Sequence, residues 1–142
     1  MYKFNGIELY NGPSMLDGSP IIAVLILKSM NSKTGDMMQL HIIRADMAPL
    51  MASKKKLDHA ICGNCSHKHS DGGACYVNIG QGPTVVYKTW KAGKYPAYTS
   101  EHDTRISALW RSCRNTLRNT QTSNRHRPRV HRIHSSNRPS KF

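Results

Sequence analysis

Apolar residues fall into a few short runs separated by polar, turn-forming stretches. The longest run, Ile21-Ile22-Ala23-Val24-Leu25-Ile26-Leu27, follows the turn sequence Asp17-Gly18-Ser19-Pro20. It is β-branched and too short for an ordinary helix, so it predicts a buried strand. A polar loop, Asn31-Ser32-Lys33-Thr34-Gly35-Asp36, separates it from Met38-Gln39-Leu40-His41-Ile42-Ile43, a second predicted strand. Together they predict a β-hairpin over residues 20–44. Upstream, Tyr2, Phe4 and Leu9 lie among two Asn-Gly dipeptides, Asn5-Gly6 and Asn11-Gly12. Asn-Gly favours tight hairpin turns, which predicts a short strand pair there.

Asp46 stands where it could cap a helix carrying Pro49 in its first turn. That helix, about 47–56, would end in Lys54-Lys55-Lys56, where cations suit the negative end of the helix dipole. Cys75-Tyr76-Val77-Asn78-Ile79 predicts a short strand and Gly80-Gln81-Gly82-Pro83 a turn, with Pro83 opening a helix that runs through Ala92. Val86 and Trp90, four apart, share one face of it. Gly93 stops it, and Tyr95-Pro96-Ala97-Tyr98 leaves in an extended conformation. The sum is an α+β fold: a small hairpin or sheet, two short helices and a cysteine-rich knuckle.

Charge divides the chain in two. Of 142 residues, the first 103 hold eleven Lys and Arg against all eight Asp and Glu, a net of +3. Residues 104–142 hold ten basic residues and no acid, and the basic type switches from Lys to Arg. Beyond Trp110 the only aliphatic residues are Leu117, Val130 and Ile133, too few to offset the entropy of ordering. The expectation is a domain over 1–103 and a disordered basic tail over 104–142, with at most a short helical turn at 104–113. Two origins fit that tail: an arginine-rich arm for phosphates, or a reading-frame shift near residue 104. The whole-chain net charge of +13 favours anionic partners, nucleic acid first and acidic membrane surfaces second.

The start of the chain lacks the apolar core of a secretory signal. The run Ile21–Leu27 falls far short of the roughly 20 residues needed to span a bilayer. A cytoplasmic location without membrane insertion follows as the expectation, and there thiols stay reduced. Four cysteines in that setting point to metal ligation or redox chemistry before disulfides. Cys62-Gly63-Asn64-Cys65 is a C-x2-C pair, and Cys75 returns ten residues later, past Gly72-Gly73. Thiolates are soft ligands that select zinc or iron–sulfur clusters over magnesium or calcium. Three cysteines leave one tetrahedral position, for which His59, His67 and His69 are local candidates and Cys113 a distant one. Zinc in a Cys3His-like site is the first expectation and an iron–sulfur cluster the alternative. Asp58 or Asp71 could orient a ligating histidine.

The stretches Asn31–Leu40, Ile61-Cys62-Gly63-Asn64-Cys65, Cys75-Tyr76-Val77-Asn78-Ile79-Gly80-Gln81-Gly82-Pro83 and Tyr87-Lys88-Thr89-Trp90-Lys91-Ala92-Gly93-Lys94-Tyr95-Pro96 resemble a family of bacteriophage proteins that has no settled activity. The likeness covers roughly residues 20–98. Family members tend to be longer, with further cysteines and a Gly- and Arg-containing segment after the Gly-x-Tyr-Pro region. The tail here departs from that pattern, although a one-nucleotide shift through Asn115-Thr116-Leu117-Arg118 is compatible with Ile-Arg-Phe-Gly, a sequence of the family's type. The resemblance implies a phage origin, hence the host cytoplasm, and a boundary near residue 104; it implies no mechanism.

Three functions follow as expectations. In the first, a metal-stabilised module binds nucleic acid, DNA or RNA. Lys54, Lys55, Lys56, Lys68, Lys88, Lys91 and Lys94 would contact phosphates, and Tyr87, Trp90, Tyr95 and Tyr98 would stack on bases. A solvated helix end remains the plainer account of Lys54–Lys56; Trp90 and Tyr87 could instead be core residues on a helix, the plainer account for Trp90. In the second, the chain is a truncated member of a metal or iron–sulfur enzyme family, although no nucleophile–base pair, phosphate loop or carboxylate pair assigns a catalytic residue. In the third, a small phage protein disables a host protein complex. Oligomeric state is open.

Overall fold

The apolar run after Pro20 forms the middle strand of a three-stranded antiparallel sheet in the computed structural model, which describes residues 5–29, 37–112 and 114. The strands are β1 (Gly6–Pro13), β2 (Pro20–Ile26) and β3 (Gln39–Arg44), in that order across the sheet. The expected 20–44 hairpin is thus β2 paired with β3, with Ile22 opposite Ile43 and Val24 opposite His41. Its connecting loop lies outside the described residues.

Alternation along a strand sends successive side chains to opposite faces. Ile22, Val24 and Ile43 bury one face against Val86 and Tyr87 of α3 (Gly82–Lys91). Each such side chain contributes roughly 1.5–3 kcal/mol on burial. Burial also pushes the His41 imidazole below its ordinary pKa, which favours the neutral ring. On the opposite face Leu40 and Ile42 are exposed.

The two Asn-Gly dipeptides are not hairpin turns. Asn5 precedes β1, and its side chain pairs with the Lys28 backbone, donating to the carbonyl (2.7 Å) and accepting from the N–H (3.0 Å). Gly6 is needed for close approach, because a Cβ there would lie 2.6 Å from the Tyr95 ring. Asn11-Gly12 lies within β1. The turn that joins β1 to β2 spans Ser14–Ser19, where the Ser14 N–H donates to the Ser19 carbonyl (2.7 Å) and the Asp17 carboxylate accepts the Ser19 N–H (2.9 Å).

Helix α1 (Pro49–Lys54) starts after Ala48 without a side-chain cap. Asp46 does not cap it, because its carboxylate is taken by Arg44 in a two-pronged pair of 2.9 and 2.7 Å. The same guanidinium, 7% exposed, donates to the Ser19 hydroxyl (3.2 Å) and the Leu57 carbonyl (2.9 Å). A four-residue helical turn, α2 (His59–Cys62), follows. In α3, Pro83 occupies the first turn and Gly93, at φ +67°, follows the C-cap, as expected. Trp90 Nε1 donates to the Glu8 carboxylate and ties α3 to β1. Residues 96–98 run extended beside β1, bonded to Glu8 on both sides (2.9 and 2.7 Å).

Cys75–Ile79 is not a strand: it is irregular to Asn78, enters a turn at Ile79, and pairs with no strand among the described residues. Residues 103–112 are helical, close to three turns, longer than the single turn expected at 104–113. Cys113 and the chain beyond 114 lie outside the described residues. No helix among the described residues is long and apolar enough to cross a membrane.

Removing the guanidinium leaves the Leu57 carbonyl and Asp46 without their partner. Arg44→Ala is expected to cost about 2–3 kcal/mol, and Arg44→Lys, lacking the planar fork, to recover only part of it. Urea unfolding midpoints check this. Arg44 holds the Asp46 carboxyl below the usual carboxylate range. Stability from the pair is therefore full above the unfolded-state pKa of about 3.9 and is lost as pH falls through the lower folded value. The wild-type chain should lose more stability than Arg44→Ala over that acid interval.

Candidate metal centre

The cysteine loop is attached to the body at its start. Arg44 holds the Leu57 carbonyl, and the buried Ser14 hydroxyl donates to the Ala60 carbonyl (2.8 Å). Asp58, also buried, accepts the Ser70 hydroxyl (2.7 Å). Cys62 closes α2, Gly63 takes φ +53°, and the Cys65 N–H returns to the Cys62 carbonyl (3.1 Å). The C-x2-C pair thus occupies one tight turn.

A backbone contact folds the loop back on itself. The Gly73 N–H donates to the Lys68 carbonyl (3.0 Å), and a Cβ on Gly73 would sit 2.4 Å from the His67 carbonyl carbon. Only glycine permits that approach, and it carries the chain back toward Cys62 just before Cys75. Burial pushes the Cys62 thiol pKa up; Asp58, Cys65 and Cys75 push it further, and Lys68 opposes. The three cysteines therefore share one electrostatic neighbourhood, and all three are free thiols. They do not form a closed coordination sphere: among the described residues no three His, Cys, Asp or Glu converge tightly enough to hold an ion.

The three histidines differ. His59 Nδ1 lies 3.2 Å from the Gly63 carbonyl, and His69 Nε2 lies 2.8 Å from the Val77 carbonyl. One ring nitrogen anchored on a carbonyl with the other left over is how ligating histidines are usually oriented. His67 is exposed and makes no side-chain hydrogen bond among the described residues. In donor type, three thiols with neighbouring imidazoles suit zinc.

Of the lysines singled out by sequence, Lys54, Lys55, Lys56, Lys88, Lys91 and Lys94 are exposed. Lys68 is half-buried and pairs with Asp71 at 3.3 Å. Lys91 Nζ lies 5.9 Å from the centre of the Tyr87 ring. The aromatic set divides: Tyr87 is core and unavailable for stacking, Trp90 is held by Glu8, and Tyr95 is half-buried against Gly6. Tyr98 is exposed, its hydroxyl bonded to Asp103 (2.6 Å). Sequence reasoning passed over Ser14 and Arg44, whose roles depend on contacts across 46 and 13 residues. It also gave Tyr76 no role beyond a strand, yet that ring is 96% exposed beside Cys75.

Comparison with family models, with curated proteins and with solved structures finds no match.

Gly72 and Gly73 separate conformational strain from collision. Gly72 has φ +75° with open space where a Cβ would go, so Gly72→Ala should cost about 1–2 kcal/mol. Gly73→Ala drives a Cβ into backbone and should open the loop outright. Limited proteolysis should cut residues 61–80 much faster in Gly73→Ala than in Gly72→Ala.

Proposed function

We propose that Cys62, Cys65 and Cys75, with one imidazole from His59, His67 or His69, hold a single zinc ion, and that the protein associates with nucleic acid. The observation that carries the metal reading is a lack of core. From Ile61 to Val85, twenty-five residues in succession, no side chain is buried. A segment of that length without apolar burial needs another source of cohesion to offset its ordering entropy. Zinc bound by thiolates supplies a cross-link whose binding free energy becomes folding free energy. In this chain Gly73 closes the loop, Arg44 and Ser14 fix its entry, and Asp58 holds Ser70 across it.

Elemental analysis is expected to find about one zinc per chain, and Cys62→Ser, Cys65→Ser and Cys75→Ser each to lose most of it. Iron with acid-labile sulfide and a brown colour would replace zinc with a cluster. A chain that takes up neither metal when both are supplied sinks the metal reading.

Nucleic-acid association is supported by the excess of basic charge and by six exposed lysines at the end of α1 and on or after α3. Binding should weaken steeply with salt. Charge reversal at Lys88 and Lys91 should flatten the log–log salt slope by roughly 0.7–0.9 for each phosphate that is no longer neutralised. Affinity indifferent to both salt and these lysines would remove the proposal.

A further inference from the structure

The most accessible aromatic ring in the described chain lies next to the cysteine loop. Tyr76 is 96% exposed, well above Trp110 at 59% and Tyr10 at 45%. It borders an open hollow of about 330 Å³ whose lining includes Leu50, Val77, Ile79 and Asn78 together with Cys75 and His69 of the proposed metal site. Leu50, Val77 and Ile79 give the lining an apolar part, and Leu50 approaches Gly80, bringing α1 near the segment before α3. A ring held in water at the lip of an apolar hollow contributes nothing to the core.

Two further observations narrow what would fill this hollow. Residues 74–78 are irregular and Ile79 enters a turn, and the backbone N–H groups of 74–79 have no hydrogen-bond partner among the described residues. The Asn78 side-chain oxygen is taken by the Gly80 N–H (3.2 Å), which leaves its NH2 group as a donor. A planar ligand with an apolar face and a polar edge would satisfy the hollow and the donors together. The second observation is charge. Lys54 is one turn from Leu50 on α1, four residues apart and so on the same face, and it is followed by Lys55 and Lys56. An anionic group attached to the planar ligand would meet a cation there.

We propose that Tyr76 and this hollow receive one unpaired base of a single-stranded nucleic acid, with Lys54 on a flanking phosphate. This rests on the nucleic-acid reading above and assigns it a site and a strand state. A base inside a duplex is stacked and paired, so neither its face nor its Watson–Crick edge is free for the Tyr76 ring and the 74–79 amides. In a single strand both are free, and stacking on an aromatic side chain tolerates any base.

The test compares a short labelled oligothymidylate with the duplex formed on its complement, at equal salt, using the full chain. Wild type is expected to prefer the single strand. Tyr76→Ala should weaken single-strand binding about tenfold and leave duplex binding unchanged, and Tyr76→Phe should return it to within about twofold of wild type. Lys54→Glu should weaken it as well, with a flatter salt slope. The ring lies outside the core, so Tyr76→Ala should leave the urea unfolding midpoint in place. If wild type binds the strand but Tyr76→Ala matches it within twofold, or if the duplex is preferred, the base site is overturned while nucleic-acid association stands. If wild type binds neither probe, association itself fails and the base site fails with it.

Discussion

One guanidinium joins the parts of this molecule that hydrophobic burial does not. Arg44 ends β3, takes the Asp46 carboxylate, and reaches both the β1–β2 turn at Ser19 and the Leu57 carbonyl at the mouth of the cysteine loop. Its planar fork of five donors can serve three partners in different directions, which an ammonium on a flexible stem cannot match. The largest apolar cluster, by contrast, lies between one sheet face and α3, with Ile7 and Leu27 buried apart from it. That layer stabilises the sheet and the helix but does not extend into residues 61–85. The loop depends on polar ties at its entry, on a glycine contact at its bend, and, in the function proposed here, on a metal.

The elements legible in the sequence were those set by local pattern. The β2–β3 hairpin followed from one β-branched run and its neighbour, and α3 from Pro83 at its start and Gly93 past its end. Elements were misread where a residue's usual local role gives way to a distant contact. Asn5 and Gly6 look like turn formers, yet Asn5 bonds Lys28 and Gly6 makes room for Tyr95. Asp46 looks like a helix cap, yet an arginine two residues away offers a stronger charged pair. Cys75–Ile79 has the composition of a strand but pairs with no strand among the described residues.

The same division runs through the candidate site. Cysteine spacing drew attention to the loop; in the structure Cys65 and Cys75 both act on the Cys62 thiol, while among the described residues no three ligating side chains converge on one point. Spacing carries no sign of the Ser14–Ala60 and Arg44–Leu57 bonds, or of which histidine nitrogen is already engaged. Of the two parts open to Tyr87, stacking or core, the structure gives it the core, and Tyr76, expected in a strand, stands in solvent. The helix face that Tyr87 shares with the core removes it from solvent, and the absence of a strand around Tyr76 leaves its ring exposed.

The compositional break at residue 104 falls inside an element. Tyr98 holds the Asp103 carboxylate, His102 caps the preceding turn with Thr99, and the helix over 103–112 begins on the acidic side of the switch and continues into the arginine-rich side. An acid in the first turn suits the positive end of the helix dipole. Whatever the origin of the residues that follow, a cleavage made at the charge boundary would cut through this helix, so its arginine-bearing turns, residues 104–112, stay with the element that Asp103 begins.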